Sequence, residues 1–313
     1  RNPNDLLNHT KYFLLIKEVI KDAQKYIPDF LNNILEKNLE CLKHITTPIN
    51  TLPLFNGSIE EDLTSFYNYI NHINIKIKKT KINSDSVHVL KNKKDVIYFE
   101  AGPPPKKNYS SCYQSGPLSF EYFLDGIKII TNSGFGSQIS KKAEILSRLT
   151  ACQSTLSIND TSVTNFEKSE MINKIFGNSI KDTFKSFDLF SKNENNLIGC
   201  SSSNNGYEKK FGCTHKREIY LDKLNNCLKG IDHIIKANDG YPIRYAFRFH
   251  INPELSAVKT MSGNSALIQI SKNKSLIFTV NDENLEIEKS IFLGGKKIID
   301  SACITISGNL VNK

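Results

Sequence analysis

The chain has 313 residues, of which 39% are hydrophobic and 10% aromatic, and its formal net charge is +9. This composition is that of an ordinary globular protein, and the length allows two domains. No apolar run approaches the ~20 residues that a membrane-spanning helix needs, so no transmembrane segment is predicted. The positive charge favours an acidic polymer as partner, although the lysines are scattered along the sequence and also fit a simple solvated surface.

Other classes of partner and cofactor lack support. No zinc finger, recognition helix or aromatic ribonucleoprotein motif accompanies the charge, so no nucleic-acid partner is expected. The seven cysteines include no Cys-x-x-Cys pair, which disfavours a disulfide framework and a zinc ribbon. Gly134-Phe135-Gly136 lacks the third glycine of a dinucleotide fingerprint, and no cofactor is predicted. The first residue is not Met and no signal peptide is visible, so we expect the chain to begin inside a longer polypeptide.

The first part of the chain shows helical periodicity. Apolar residues recur at three- and four-residue spacing over residues 6–20, after Pro3 in a favourable position for a first helical turn. A second run covers residues 30–42, after the helix-starting pair Pro28-Asp29, and a third covers residues 60–73. Helices joined by loops, without strands between them, are typical of a helical solenoid or toroid.

From residue 87 the apolar period changes to two, which predicts strands. Asp125-Gly126, between the predicted strands 118–124 and 127–130, is a strong hairpin signal. Residues 167–197 are more polar and more helical and are interpreted as an insertion or a long loop. The remaining predicted strands are 87–89, 96–99, 217–221, 244–250, 266–270, 276–280, 285–287 and 302–306. This pattern predicts an antiparallel sandwich.

Six segments stand in a characteristic order. They are residues 116–121 (GPLSFE), 131–134 (TNSG), 148–156 (RLTACQSTL), 206–221, 248–253 (RFHINP) and 290–295 (SIFLGG). Together they resemble bacterial heparinase II/III-like polysaccharide lyases over nearly the whole chain. The resemblance implies an α+β fold, with partial (α/α) toroid helices in residues 1–78 and a large antiparallel β-sandwich in residues 79–313.

The resemblance also implies a function: eliminative cleavage of a uronic-acid-containing polysaccharide, with an acidic polysaccharide or oligosaccharide as partner in the cell envelope or periplasm. The reaction removes the proton alpha to a carboxylate, so it needs a base, an acid and a group that neutralises the carboxylate. The alternative is a carbohydrate-binding or envelope-structural protein that keeps the fold without the chemistry. The oligomeric state and the particular polymer are left open.

Members of this family bind a structural zinc through His, Asp and His. The matching positions here are Gln114, Asn132 and Gln153, which are amides and poor zinc ligands. We therefore predict that these three side chains cluster with no metal between them. The catalytic histidine of the family lies near Cys112 and Tyr113 of this sequence, where no histidine stands. The amide replacements favour the non-catalytic alternative, whereas the retained motif over residues 206–221 favours the lyase.

Tyr207 and His215 are the candidates for acid and base, because both lie in family-like motifs and a hairpin would bring them close. In a lyase they should line a cleft that faces the helical segment, with Arg217 or Arg248 within reach. The bland alternative is that Tyr207 packs against the sheet and His215 makes a structural hydrogen bond. The candidates for substrate binding are Tyr113, as a ring that stacks on a sugar, and Gln114, Arg148, Arg217 and Arg248.

Overall fold

The computed structural model describes residues 2–78, 86–194, 196–236, 242–281 and 283–310. Within these residues the helices are α1 (Pro3–Asp22), α2 (Asp29–Ile45), α3 (Thr64–His72), α4 (Lys141–Ser147), α5 (Glu170–Phe176) and α6 (Glu208–Phe211). The strands are β1 (Val87–Lys91), β2 (Asp95–Glu100), β3 (Phe120–Leu124), β4 (Ile127–Thr131), β5 (Leu156–Ile158), β6 (Ser186–Asn193), β7 (Leu197–Tyr207), β8 (Cys213–Asp222), β9 (Cys227–Lys236), β10 (Ile243–Ile251), β11 (Ser256–Lys259), β12 (Ser265–Ser271), β13 (Lys274–Thr279), β14 (Leu285–Phe292) and β15 (Ile299–Leu310).

The three N-terminal helices pack through one apolar seam. The side chain of Asn2 accepts hydrogen bonds from the first turn of α1, and Pro3 occupies the first helical position, so the sequence signals set this helix start. The seam contains buried leucines from α1 and α2 and Ile70 of α3. Whether these helices belong to a toroid stays a prediction. None of the described helices combines the length and the apolar character that crossing a membrane requires.

The described strands form antiparallel sheets around a common core. The largest has the order β1-β2-β3-β4-β10-β15-β14, with β5 also paired to β10; the others are β6-β7-β8-β9 and β11-β12-β13. Side chains from all of these sheets meet in one apolar cluster, including Phe99, Ile219, Phe249, Ile268 and Ile304. The predicted α+β class with antiparallel sheets is therefore confirmed. The predicted boundary at 78/79 adjoins residues outside the described ranges and stays a prediction.

Three local predictions differ in outcome. The hairpin at Asp125-Gly126 is formed: both residues have positive φ (49° and 80°) and they join β3 to β4. The third helix, expected over 60–73, instead begins at Thr64. Residues 60–63 are not helical, because the Glu60 N–H donates to the carbonyl of Gly294 in the sandwich and the Leu63 N–H donates to the carbonyl of Asn50. Residues 167–197, read as an insertion or loop, contain α5, β6 and the start of β7.

The segment between α2 and α3 fastens the helices to the sandwich. The carboxylate of Glu121 on β3 accepts the N–H of Leu54 (3.2 Å), and Lys128 on β4 pairs with Glu60 (2.9 Å). Glu121 and Lys128 are both buried and lie 3.9 Å apart at their closest charged atoms. The segment after α2 thus supplies a backbone N–H and a carboxylate to this buried pair, and losing either contact would leave one of the two charges less compensated.

Candidate functional site

The three amides predicted to cluster belong to one buried hydrogen-bond network. Gln114 Nε2 donates to the carbonyl of Ser147 (2.8 Å), and Gln153 Nε2 donates to the same carbonyl (2.9 Å). Asn132 Oδ1 accepts from the N–H of Ser154 (2.9 Å), the residue after Gln153. Each amide side chain is thus hydrogen-bonded to a nearby backbone group.

This amide network also contacts the segment that follows α2. The N–H of Gly57 donates to Gln114 Oε1 (3.1 Å), and Asn132 Nδ2 donates to the carbonyl of Leu54 (3.2 Å). Gly57 has φ of 95°, and a Cβ there would lie 2.6 Å from Cys112 Cβ, so only glycine allows this approach. The amides therefore join the helical part to the sandwich.

These residues do not fit the zinc that the family resemblance implies. The amide nitrogen of Gln114 is a donor to two carbonyls, those of Gly134 and Ser147, and its oxygen already accepts from Gly57. Zinc requires lone pairs from imidazole, thiolate or carboxylate groups. In the part of the chain that the structure describes, no three or more His, Cys, Asp or Glu side chains are grouped to hold a metal ion.

His215 and Arg217 are brought together on the inner face of β8 by a carboxylate that the sequence analysis did not name. Asp232 Oδ1 lies 2.7 Å from His215 Nε2 and accepts from Arg217 Nε at 2.8 Å. Burial lowers the pKa of His215, with Asp232 acting in the opposite direction. Burial alone would raise the pKa of Asp232, but Arg217 and His215 outweigh it and lower that pKa to about 2. Asp232, His215 and Arg217 therefore form a closed cluster, in which the charged groups bond to one another and not to a ligand.

Tyr207 also lies in the sandwich interior. Its hydroxyl donates to the carbonyl of Thr161 (2.7 Å), its ring packs near Phe211, and burial raises its pKa above the usual range. The expected cleft lined by Tyr207 and His215 is therefore wrong for this structure, because the inward phase of β7 and β8 turns both side chains into the core. Tyr113 is buried in the same core, so its ring is not exposed for stacking on a sugar.

Arg148 and Arg248 line one cavity of about 620 Å³, formed by the end of α4, the chain after β5, the region of α5, and β10. Arg148 donates from Nε to Tyr113 O and from Nη2 to Ser110 O, both at 2.8 Å, and its Nη1 has no hydrogen-bond partner. Arg248 donates from Nη1 to Ser157 Oγ. Of the predicted substrate-binding residues, these two are the ones that the structure brings to a common opening.

Sequence reasoning missed Asp232 and Phe166. Asp232 stands directly opposite Arg217 in the β8–β9 register, and a carboxylate at an inward position of a strand was the available signal. Phe166 lies under the Arg148 guanidinium, with 4.0 Å between the guanidinium carbon and the ring centre. No spacing in the sequence joins residues 148 and 166, because the contact depends on how the chain after β5 folds back.

Comparisons with known proteins agree with this architecture. Residues 86–310 match the family model described as Heparinase II/III-like, C-terminal. The chain is similar to the heparan sulfate lyase HepC from Pedobacter heparinus, with a TM-score of 0.75 and 15% identity over 99% of this chain and 50% of that one. It is also similar to Heparinase III, with a TM-score of 0.70 and 17% identity over 98% of this chain and 51% of that one. At such identities the likeness shows a shared fold.

A curated relative matches more locally. FtsZ-localized protein C of Caulobacter vibrioides is 26% identical over 186 residues, which is 56% of this chain and 31% of that protein. The chain thus spans about half the length of the solved lyase structures and less than a third of this relative.

Proposed function

We propose, from the premise that the chain belongs to the heparinase II/III-like family, that it binds an acidic, uronic-acid-containing polysaccharide through its β-sandwich. We further propose that Tyr207 and His215 serve this sandwich as structural residues and not as acid and base. The solved proteins named as heparan sulfate lyase and heparinase act, by their names, on acidic polysaccharides. The net charge of +9 supports the attraction of such a polymer.

One observation carries the choice of binding over cleavage by these residues. Tyr207 and His215 are both buried, and each is hydrogen-bonded inside the sandwich. Eliminative chemistry needs a base within hydrogen-bond reach of the proton beside the substrate carboxylate, and an acid near the leaving oxygen. A buried phenol with a raised pKa, donating to a backbone carbonyl, is poorly suited to either role at neutral pH.

Eliminative cleavage is the second candidate, and family membership favours it. Under this alternative the acid and base come from residues other than Tyr207 and His215. The two candidates differ in a product: elimination leaves an unsaturated uronate that absorbs in the ultraviolet, and binding leaves the polymer intact.

The test combines a binding assay and a cleavage assay on the same samples. We expect polyuronates to retard the chain in affinity electrophoresis, while ultraviolet absorbance stays at the level of polymer alone. A rise in absorbance that Tyr207→Phe abolishes would overturn the assignment of Tyr207 as structural. A rise that Tyr207→Phe leaves unchanged would favour the second candidate. Absence of retardation would remove the proposed binding function.

We propose the cell envelope or periplasm as the compartment, because a polysaccharide-binding domain must share a compartment with its polymer. Cell fractionation with an antibody against the chain tests this proposal directly. Recovery with cytoplasmic markers alone would contradict it.

A further inference from the structure

The cavity beside α4 contains an unusual concentration of unpaired polar atoms. Arg148 Nη1, Thr164 Oγ1 and Asn173 Oδ1 are buried without a hydrogen-bond partner, and all three residues line it. Among the residues that the structure describes, three buried side-chain polar atoms without a hydrogen-bond partner thus meet at one opening. Because buried polar groups in native proteins are nearly always paired, this concentration indicates a place that a ligand completes.

Arg148 decides what kind of ligand fits. Only 1% of its surface is exposed, and no ion pair joins it to a carboxylate within the described ranges of the chain. Two backbone carbonyls hold its Nε and Nη2, and Phe166 supports the guanidinium plane from one side. Burial lowers its pKa to about 10, which still leaves the group charged at neutral pH. Water can hydrogen-bond to Nη1 but cannot neutralise this charge, whereas an anion does both.

The carboxylates around the cavity do not neutralise the Arg148 guanidinium. Glu167 accepts from two backbone N–H groups and pairs with Lys181 at 3.3 Å. Asp160 is 61% exposed and lies 3.8 Å from Arg248 and 3.5 Å from Arg244. Arg248 therefore places a second guanidinium at the cavity. Its carboxylate neighbour, Asp160, is exposed to solvent and is shared with Arg244.

The shape and the remaining groups suit a sugar. A volume of about 620 Å³ lies within the ~300–1,000 Å³ range of small-molecule sites. The free hydroxyl of Thr164 can donate or accept, and Asn173 Oδ1 can accept, so both can pair with sugar hydroxyls. None of the lining residues belongs to α1, α2 or α3, so this cavity is separate from the junction between the helices and the sandwich.

We infer that this cavity binds one uronic acid residue, with the sugar carboxylate at Arg148 Nη1 and Arg248 and the sugar hydroxyls at Thr164 and Asn173. This inference rests on the proposed function and assigns the polysaccharide-binding site to this cavity. Arg148 is preorganised by its two carbonyl partners, so it loses little conformational freedom when the carboxylate binds.

The test uses calorimetric titration of the whole chain with a uronate oligosaccharide and with its carboxyl-reduced, neutral counterpart. We expect Arg248→Gln and Arg148→Met each to weaken uronate binding about tenfold or more, since each removes a charge-assisted hydrogen bond. The neutral oligosaccharide should bind weakly to the wild type and lose little in either variant. Thr164→Val should weaken both ligands by about fivefold, since it removes a hydroxyl that contacts sugar and not carboxylate.

Arg244→Gln is the matched control. Arg244 lies on the same strand as Arg248 and also near Asp160, but it does not line the cavity. Its variant should bind the uronate oligosaccharide as the wild type does. If Arg148→Met fails to fold, Arg248→Gln and Thr164→Val carry the test, because the Thr164 hydroxyl has no internal hydrogen bond to lose.

Three results overturn the inference in distinguishable ways. If the wild type binds the uronate and all cavity variants bind it equally well, the cavity is not the site and the proposed function stands. If the wild type binds neither oligosaccharide, the proposed function fails together with the inference. Equal binding of the acidic and neutral oligosaccharides by the wild type would refute the role of the carboxylate.

Discussion

Arg217 on β8 and Asp232 on β9 stand directly opposite each other and share two hydrogen bonds, at 2.8 and 3.0 Å. The third nitrogen of the same guanidinium, Nη1, donates to the carbonyls of Leu118 and Ser154, so every side of the group is occupied. His215 contacts the same carboxylate. One acidic side chain therefore neutralises Arg217 and also hydrogen-bonds His215, and Arg217 in turn joins β8 to the segments that precede β3 and β5.

Asp232→Ala should be strongly destabilising. It leaves the Arg217 guanidinium buried without a counter-charge, and the loss expected for breaking such a pair is about 3–5 kcal/mol. The control is Glu286→Ala on β14, where the exposed Glu286 carboxylate pairs with Lys259 at 2.7 Å. An exposed pair of this kind should cost about 1 kcal/mol or less. Urea unfolding followed by circular dichroism measures both; equal losses would contradict the closed-cluster description.

The amide network gives a second prediction about stability. Gln114→Met removes three hydrogen bonds, to Gly57, Gly134 and Ser147, whereas Gln153→Met removes one. At about 1 kcal/mol net for each bond, the first variant should lose about 3 kcal/mol and the second about 1 kcal/mol. Equilibrium unfolding of both variants decides this. The double variant should lose more than the sum, because Ser147 O then keeps neither amide donor.

The sequence predicted the fold better than the site. Period-two patterning and the Asp125-Gly126 turn identified the hairpin, because both signals are local and depend on few neighbours. The same period of two predicts that His215 and Arg217 lie on one face of β8, since alternate residues of a strand share a face. What periodicity does not state is which face is inner, and that choice depends on the partner strand and on the core.

The site was harder to predict because its contacts are long-range. Arg148 was named from a motif, but its partners Ser110, Tyr113 and Phe166 come from separate loops. Gln114, Asn132 and Gln153 were grouped only because the family resemblance aligns them with three expected metal-ligand positions. Their hydrogen bonds to the segment after α2 follow from tertiary packing and have no signature in the sequence.

Substitutions at Tyr207 test its proposed structural role. Tyr207→Phe removes one hydrogen bond to Thr161 and should lower the free energy of unfolding by about 1 kcal/mol. Polyuronate affinity should remain within about twofold of wild type, far below the ~100-fold effect expected for losing a positioned acid or base in turnover. Affinity electrophoresis and urea unfolding are measured on the same preparation. A large loss of affinity without a loss of stability would contradict the structural role and indicate that Tyr207 contacts the polymer.

His250 should make stability depend on pH. Its Nε2–H donates to the carbonyl of Ala151 (3.0 Å), which leaves Nδ1 to accept the Ser290 hydroxyl (2.8 Å), so the neutral ring satisfies both contacts. Burial, reinforced by the charge of Arg248 and opposed by the Ala151 carbonyl, lowers the pKa of His250 to about 4. In the unfolded chain the pKa of a histidine is about 6.5. Between these two values the unfolded state binds more protons than the folded state.

The free energy of unfolding should therefore fall as pH decreases from about 6.5 towards 4, by up to about 3 kcal/mol from this residue, and be regained on returning to neutral pH. His215, whose pKa is also lowered, contributes in the same direction. His250→Gln keeps a polar side chain without a titrating ring, so its unfolding free energy should change less steeply over this range. His9→Gln, at an exposed position on α1, is the control and should follow the wild type. Urea unfolding at closely spaced pH values measures the slopes. Identical slopes for wild type and His250→Gln would contradict a pKa of His250 that burial lowers in the folded protein.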